Sequence, residues 1–165
     1  MITFSLATLL CCFAASLCLD LESFCRRFVR GLVVNDVCLY VPRQTGTFDE
    51  AVAYCEAEGG ELAFPESKAE LAIMQVLCED YGSPGFCLLG LIHSSECNFV
   101  SYTREEKVPS NSPWWHDGNG IHDTDCEIYN RAAIFAKEKR TSMVAVYDGE
   151  DDFICKLRRD PLKYV

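Results

Sequence analysis

The cysteines constrain this chain more than any other feature of its sequence. There are 11 of them in 165 residues, which is unusual for a cytosolic protein because thiols are kept reduced there. Three lie within the first 18 residues, and the others are Cys25, Cys38, Cys55, Cys78, Cys87, Cys97, Cys126 and Cys155. An even number in an extracellular domain indicates a disulfide framework. None of these eight forms a Cys-x2-Cys pair, so the spacing of a zinc knuckle is missing.

The N-terminal segment has the composition of a secretory signal peptide. It is apolar, ends in small residues and carries no charged side chain before Asp20. A membrane-spanning helix needs about 20 apolar residues, and this run is shorter. We therefore expect residues 1–18 to be a signal peptide, with cleavage after Ser16 as the alternative. Residues 19–165 then form a single secreted, extracellular domain with its core at about 25–157 and no membrane insertion.

The charge of the chain excludes one class of partner. The net charge is −10 at pH 7, and a strongly acidic domain repels phosphate backbones and anionic membranes. We expect no nucleic-acid partner.

The first predicted helix has a clear beginning and end. Thr47-Phe-Asp-Glu50 is a capping box, and apolar residues follow at helical spacing from Phe48 to Cys55. Gly59-Gly60 ends the helix, with the first glycine suited to a left-handed conformation. Cys55 is therefore expected to face the core.

A second helix and several strands follow. Ser67-Lys-Ala-Glu70 is another capping box, and its helix is predicted to stop near Cys78. The residues between Phe24 and Pro42 favour a hairpin or two short strands, and further strands are predicted at 86–92, 128–135, 142–147 and 152–156. Residues 94–124 are predicted to be irregular. This order predicts an α+β domain.

A series of short motifs runs through most of the chain. They are Cys38-Leu-Tyr40, Phe48-x2-Ala51-x3-Cys55-x3-Gly59-Gly60-x-Leu62-Ala63, Leu89-Gly90-Leu91, Trp115-x2-Gly118, Asp125-Cys126-x-Ile128-Tyr129 and Phe153-Ile-Cys155-Lys156. In this order the motifs resemble those of C-type lectin-like domains. The resemblance implies a C-type lectin-like fold, in which two helices pack on small antiparallel sheets with a long irregular loop, stapled by disulfides.

The resemblance also implies disulfide pairs. The cysteines that match the family's conserved pair are Cys55 and Cys155, and an additional N-terminal pair corresponds to Cys25 and Cys38, which flank the predicted hairpin. The remaining four cysteines allow three pairings. We favour Cys78 with Cys87 and Cys97 with Cys126, since the family's usual partner of Cys126 is missing.

Two departures from the family concern calcium. Sugar-binding members carry Glu-Pro-Asn or Gln-Pro-Asp after the Trp-x2-Gly element, and Asn119-Gly120-Ile121 takes that place here. Their Trp-Asn-Asp element falls near Met143-Val144-Ala145, which has no side-chain oxygen. Calcium takes about six to eight oxygen ligands. We therefore predict no cofactor, and a calcium-dependent sugar-binding lectin is the alternative.

The predicted function is recognition of a glycan or an extracellular protein by a monomeric domain. Trp115 is expected in the core and Trp114 on the surface, and the candidate ligand-binding residues are Trp114, Asp117, Asn119, Asp123, Asp125 and Glu127. A metal site is not predicted, because the spacing of His116 and His122 matches no standard zinc motif.

We predict that the chain is not an enzyme. His93 precedes Ser94-Ser95 without the glycines of a nucleophile elbow. The alternative of a small disulfide-rich hydrolase or toxin therefore lacks a catalytic constellation.

We predict that the secreted chain begins at Leu19. Cleavage after Cys18 leaves an even number of cysteines, whereas cleavage after Ser16 leaves an odd thiol that favours a disulfide-linked dimer. N-terminal sequencing of the secreted protein measures the cut. A chain that begins at Leu17 and runs as a reducible dimer contradicts the prediction.

Overall fold

The computed structural model of the chain describes residues 21–28, 30–83, 85–94, 98–104, 106–108, 112–115, 130–135 and 142–158. These residues form the helices α1 (Leu21–Cys25), α2 (Phe48–Ala57) and α3 (Lys68–Tyr81). The strands are β1 (Gly31–Val34), β2 (Val37–Tyr40), β3 (Glu61–Leu62), β4 (Phe86–His93), β5 (Phe99–Ser101), β6 (Lys107–Val108), β7 (Arg131–Phe135), β8 (Met143–Val146), β9 (Asp152–Phe153) and β10 (Cys155–Arg158). Among the described helices, none has the length and apolar character to cross a membrane.

α2 begins where the sequence predicts. The Thr47 hydroxyl accepts a hydrogen bond from the Glu50 amide (3.4 Å), and the Glu50 carboxylate accepts one from the Thr47 amide (2.9 Å). Both arms of the capping box are therefore present. Beyond the helix, Gly59 has a φ of 83°, which glycine adopts readily because it lacks a Cβ atom. As predicted, Cys55 is buried in the core.

The capping box predicted for α3 forms only in part. The Ser67 hydroxyl accepts a hydrogen bond from the Glu70 amide at 3.1 Å. The Glu70 carboxylate does not return this contact. It accepts from the Glu66 amide at 3.1 Å and from the ammonium group of Lys156 at 2.7 Å. The contacts with Glu66 and with the distant Lys156 therefore take the place of a contact with the Ser67 amide.

α3 also continues beyond its predicted end near Cys78, as far as Tyr81. The turn begins only at Gly82, whose amide donates to the Cys78 carbonyl at 2.9 Å. Glycine is suited to this place because a Cβ atom there would lie 2.5 Å from the same carbonyl oxygen. A disulfide from Cys78 to Cys87 joins the last turn of the helix to β4.

The first sheet has four antiparallel strands in the order β1-β2-β10-β3. β1 and β2 form the predicted hairpin, and its turn residues Asn35 and Asp36 have φ values of 47° and 60°. A two-residue turn of type I′ requires positive φ at both places. In the centre, Cys155 of β10 lies opposite Tyr40 of β2 and Leu62 of β3. β10 thus lies inside this sheet, between β2 and β3.

The second sheet has the order β6-β5-β4-β7-β8, with β9 parallel to β4. β5 and β6 lie within residues 94–124, so the prediction of a wholly irregular segment is wrong there. Phe99 pairs opposite Val108, and both side chains are buried. Strands this short show no alternation that a sequence pattern could reveal.

The strand predicted at 152–156 is divided at Ile154. β9 pairs with β4, whereas β10 pairs with β2 and β3. Between them, the Ile154 amide donates to the Leu88 carbonyl (3.4 Å) and its carbonyl accepts from the Ala63 amide (2.7 Å). The break lets one segment join both sheets.

Three of the four predicted disulfides lie in the described residues, and all three are confirmed. Cys25–Cys38, Cys55–Cys155 and Cys78–Cys87 have Cα–Cα distances of 5.5, 5.4 and 6.0 Å, within the usual range for disulfides. Cys97 and Cys126 lie outside the described residues, so their pairing stays a prediction. The α+β, disulfide-stapled fold class is confirmed.

A buried charge pair lies in the core. Lys156 Nζ lies 2.7 Å from Glu70 Oε2, and the two side chains are 0% and 5% exposed. Lys156 also donates to the Phe64 carbonyl at 3.4 Å. These contacts tie β10 to α3 and to the segment between β3 and α3.

We predict that Lys156→Met destabilises the domain by about 3–5 kcal/mol, because removal of one partner leaves a buried charge uncompensated. Adding Glu70→Gln should recover much of this loss. Arg26→Met is the matched control: it removes an exposed pair with Glu22, in which the side chains are 76% and 66% exposed, and should cost less than about 1 kcal/mol. Denaturant unfolding measures all three, and equal effects of the two single substitutions contradict the prediction.

Candidate ligand-binding site

Only one of the predicted ligand-binding residues lies in the part of the chain that the structure describes. Trp114 does. The other predicted residues are outside the described ranges and stay predictions: Asp117, Asn119, Asp123, Asp125 and Glu127.

Trp114 and Trp115 have different surroundings, as predicted. Trp115 is 6% exposed, and its ring packs against Phe99 with centroids 4.8 Å apart. Trp114 is partly buried, packs on the edge of the core and faces a cleft. Its carbonyl accepts from the Met143 amide at 2.7 Å, and its amide donates to the Ser112 hydroxyl at 3.4 Å. The backbone that carries the Trp114 side chain is therefore held by β8 and by the preceding turn.

The cleft beside Trp114 has a volume of about 390 Å³. We call it the Trp114 cleft. Its apolar lining consists of Phe64, Pro65, Val108 and Trp114. Its polar lining consists of Glu66, Arg104, Glu106, Lys107 and Ser112. Three parts of the fold thus meet here: the segment between β3 and α3, the β5–β6 hairpin, and the segment 112–115, which follows β6 in the chain.

Arg104 is held in place at the mouth of the cleft. Its guanidinium forms ion pairs with Glu61, at 2.8 Å, and with Glu66. The guanidinium carbon also lies 5.5 Å from the centroid of the Phe64 ring, within the range of a cation–π contact. This half-exposed side chain therefore has a defined orientation.

Glu66 is the centre of the charges around the cleft. Besides Arg104, it contacts Arg158 and, at 3.5 Å, Lys156. Burial alone would raise the pKa of the Glu66 carboxyl, but the charges of Lys156, Arg158 and Arg104 outweigh burial and lower it below 4.5. Glu66 is therefore ionised whenever these cations surround it at neutral pH.

His93, which the sequence brought to notice as a neighbour of two serines, is placed for packing. Its ring meets Phe99 edge to face, with centroids 4.4 Å apart. Its Nε2 atom is buried and has no hydrogen-bond partner among the described residues, and burial lowers the pKa of the imidazole. The backbone amide of Ser94 donates to the Asn98 carbonyl. Nothing in these contacts activates a serine hydroxyl.

The described residues contain no group of three or more His, Cys, Asp or Glu side chains that could hold a metal ion. β8, where the resemblance places the family's Trp-Asn-Asp element, consists of Met143, Val144, Ala145 and Val146. Met143 is completely buried and Val146 is 7% exposed. This strand is a core strand and offers no side-chain oxygen.

Comparison with known proteins identifies the family. The family model described as "Lectin C-type domain" matches residues 44–157, which is more than half of the chain. This chain belongs to the C-type lectin domain family. Domains of this family are generally not enzymes. No curated protein matches the chain by sequence.

Solved structures of other C-type lectin domains share its fold. The mouse scavenger receptor C-type lectin carbohydrate-recognition domain is 18% identical and has a TM-score of 0.63, covering 81% of this chain and 97% of that chain. Human lithostathine is 16% identical and has a TM-score of 0.64, covering 78% of this chain and 97% of that chain. The C-type lectin domain of murine dendritic cell inhibitory receptor 2, in complex with N-glycan, is 14% identical and has a TM-score of 0.60, covering 79% of this chain and 97% of that chain. Likeness at these identities concerns the fold alone.

Most of the residues that line this C-type lectin domain's cleft could not be recognised from the sequence. Arg104, Glu106 and Lys107 form a charged run in the segment predicted to be irregular. Phe64-Pro65-Glu66 follows the Leu62-Ala63 motif without a distinctive pattern of its own. The charged run was the one sequence feature that could have indicated the cleft. It lies opposite Trp114 because of the β5–β6 hairpin.

We predict that Glu66→Gln lowers the melting temperature at neutral pH and has little effect in acid. As the pH falls below the ordinary Glu value of 4.5, the unfolded chain takes up the proton first, so the stability that ionised Glu66 contributes is lost. Thermal unfolding over a pH series measures the difference between variant and parent.

Asp151→Asn is the matched control of opposite sign. Burial and, secondarily, Asp152 raise the pKa of Asp151, so its ionisation costs stability as the pH rises. The difference in stability between this variant and the parent should therefore shift in favour of the variant as the pH rises from acid to neutral. A constant difference between Glu66→Gln and the parent at every pH contradicts the assignment.

Proposed function

We propose that this C-type lectin domain is a secreted recognition module that binds a glycan or a protein ligand without family-type calcium coordination. The observation that carries the proposal is β8, which fills with apolar core side chains the place of the family's Trp-Asn-Asp element. Three features support it: the missing oxygen ligands, a concave surface that needs no ion, and the disulfides.

The missing oxygens weaken any family-type calcium site. Calcium takes about six to eight oxygen ligands, several of them from carboxylates. In β8, Met143 is fully buried, while Val144 and Ala145 are partly buried and pack against the core. Ile121 replaces a further oxygen ligand in the sequence. One wall of the site is therefore built of hydrocarbon.

The Trp114 cleft supplies an alternative binding surface. Its volume of about 390 Å³ lies within the range of about 300–1,000 Å³ for small-ligand sites. It combines an indole with charged groups of both signs, so it can bind a ligand by stacking and hydrogen bonds alone.

The disulfides support an extracellular role. The three bridges among the described residues suit an oxidising compartment, in agreement with the predicted signal peptide. One structural neighbour is a C-type lectin domain in complex with N-glycan, and we propose glycans as the first ligand class to test here.

We predict that calcium neither binds tightly nor stabilises the domain. A tight site would add about 2.7 kcal/mol of stability at a calcium concentration one hundred times its dissociation constant. Calorimetric titration with calcium, together with thermal unfolding in calcium and in EDTA, measures this.

Ligand binding is tested separately on arrays of glycans and of extracellular proteins, each probed in calcium and in EDTA. We expect at least one ligand whose binding is unchanged by EDTA. A rise in melting temperature with calcium, together with EDTA-sensitive sugar binding, overturns the calcium-free proposal. The absence of any ligand on both arrays overturns the recognition role.

A further inference from the structure

We propose that the Trp114 cleft is the ligand site and that it takes an uncharged sugar ring, stacked on Trp114 and bound without a metal ion. This inference rests on the proposed recognition function and adds to it a place and a ligand chemistry. The residues that line the proposed site all lie in the described part of the chain.

The apolar lining sets the first requirement on the ligand. Phe64 is 2% exposed and Val108 is 7% exposed, so both belong to the core and form a fixed surface. Trp114 is only partly buried and leaves part of its indole facing the cleft. A ligand that fills this space must present a flat apolar face to an aromatic ring. The C–H face of a pyranose has this shape.

The polar lining sets the second requirement. Glu66 and Glu106 are acceptors, Arg104 and Lys107 are donors, and the Ser112 hydroxyl is both. The two carboxylates and two cations carry no net charge together. Such a rim suits groups that donate and accept at once, which is the property of sugar hydroxyls. An acidic sugar or a phosphate would instead require an excess of cations, and the protein as a whole has a net charge of −10.

The site is also fixed before a ligand arrives. Arg104 is held by Glu61 and Glu66 and lies over the Phe64 ring. The Trp114 backbone is held by Met143 and Ser112. Little side-chain freedom is therefore lost on binding, which lowers the entropic cost for a small ligand.

The size of the cleft favours a sugar over a protein surface. The volume of about 390 Å³ lies within the range of small-ligand sites, whereas a specific protein partner covers a broad surface of about 800 Å² on each side. A peptide that adds to the β6 edge through its backbone is the competing occupant. Such a peptide would use β6 main-chain groups and would depend less on the indole.

The test is an array of neutral, sialylated and sulfated oligosaccharides probed in EDTA, followed by calorimetry with the strongest neutral oligosaccharide. We expect neutral sugars to bind best. Trp114→Ala should weaken binding about tenfold or more, as loss of an aromatic anchor does, and Trp114→Phe should weaken it less because a ring remains. Glu106→Gln should give a smaller loss than Trp114→Ala.

Tyr81→Ala is the matched control. Tyr81 is an aromatic residue of α3 that is 38% exposed and lies outside the cleft, so its removal should leave sugar binding unchanged. Thermal unfolding confirms that each variant is folded.

The outcomes separate this inference from the proposed function. Calcium-independent sugar binding that Trp114→Ala does not weaken overturns the cleft and leaves the recognition role intact. A preference for sulfated or sialylated sugars overturns the uncharged ligand. Binding of a peptide alone overturns the sugar, and binding of no ligand at all overturns both proposals.

Discussion

The disulfide between Cys55 and Cys155 is the constraint on which most of the structure depends. It joins α2 to β10 across a sequence separation of 100 residues, and closing a loop of this length is worth about 4–5 kcal/mol in the chain-entropy model. β10 lies between β2 and β3. The bond therefore fixes β10, the strand that holds the first sheet together, against α2.

The next residue connects this scaffold to the cleft. Lys156 extends from β10 into the core, where it pairs with Glu70 and donates to the Phe64 carbonyl. Phe64 forms part of the floor, and Glu66 gathers Arg104 and Arg158 at the mouth. The proposed ligand site is thus built outward from a buried charge pair. A change in the core is expected to reach the cleft through Phe64 and Glu66.

The sequence predicts those parts that depend on neighbouring residues. Local patterns predict the capping box of α2 and the hairpin between Phe24 and Pro42. The family resemblance predicts the division of roles between Trp114 and Trp115. The inward turn of Glu70 could not be predicted, because its partner lies 86 residues away. β5 and β6 are too short to show a period, so the run from Arg104 to Lys107 could not be placed opposite Trp114. The features that the sequence predicts depend on neighbouring residues, whereas those that it does not predict depend on residues far apart along the chain.

The most direct test of the account is a crystal structure of the domain grown in EDTA with the neutral oligosaccharide that binds most strongly. The account predicts a sugar ring against the Trp114 indole, with hydroxyl groups near Glu66, Arg104 and Glu106 and no metal ion. A sugar found around an ion held by residues 117–127, with the Trp114 cleft empty, would contradict it.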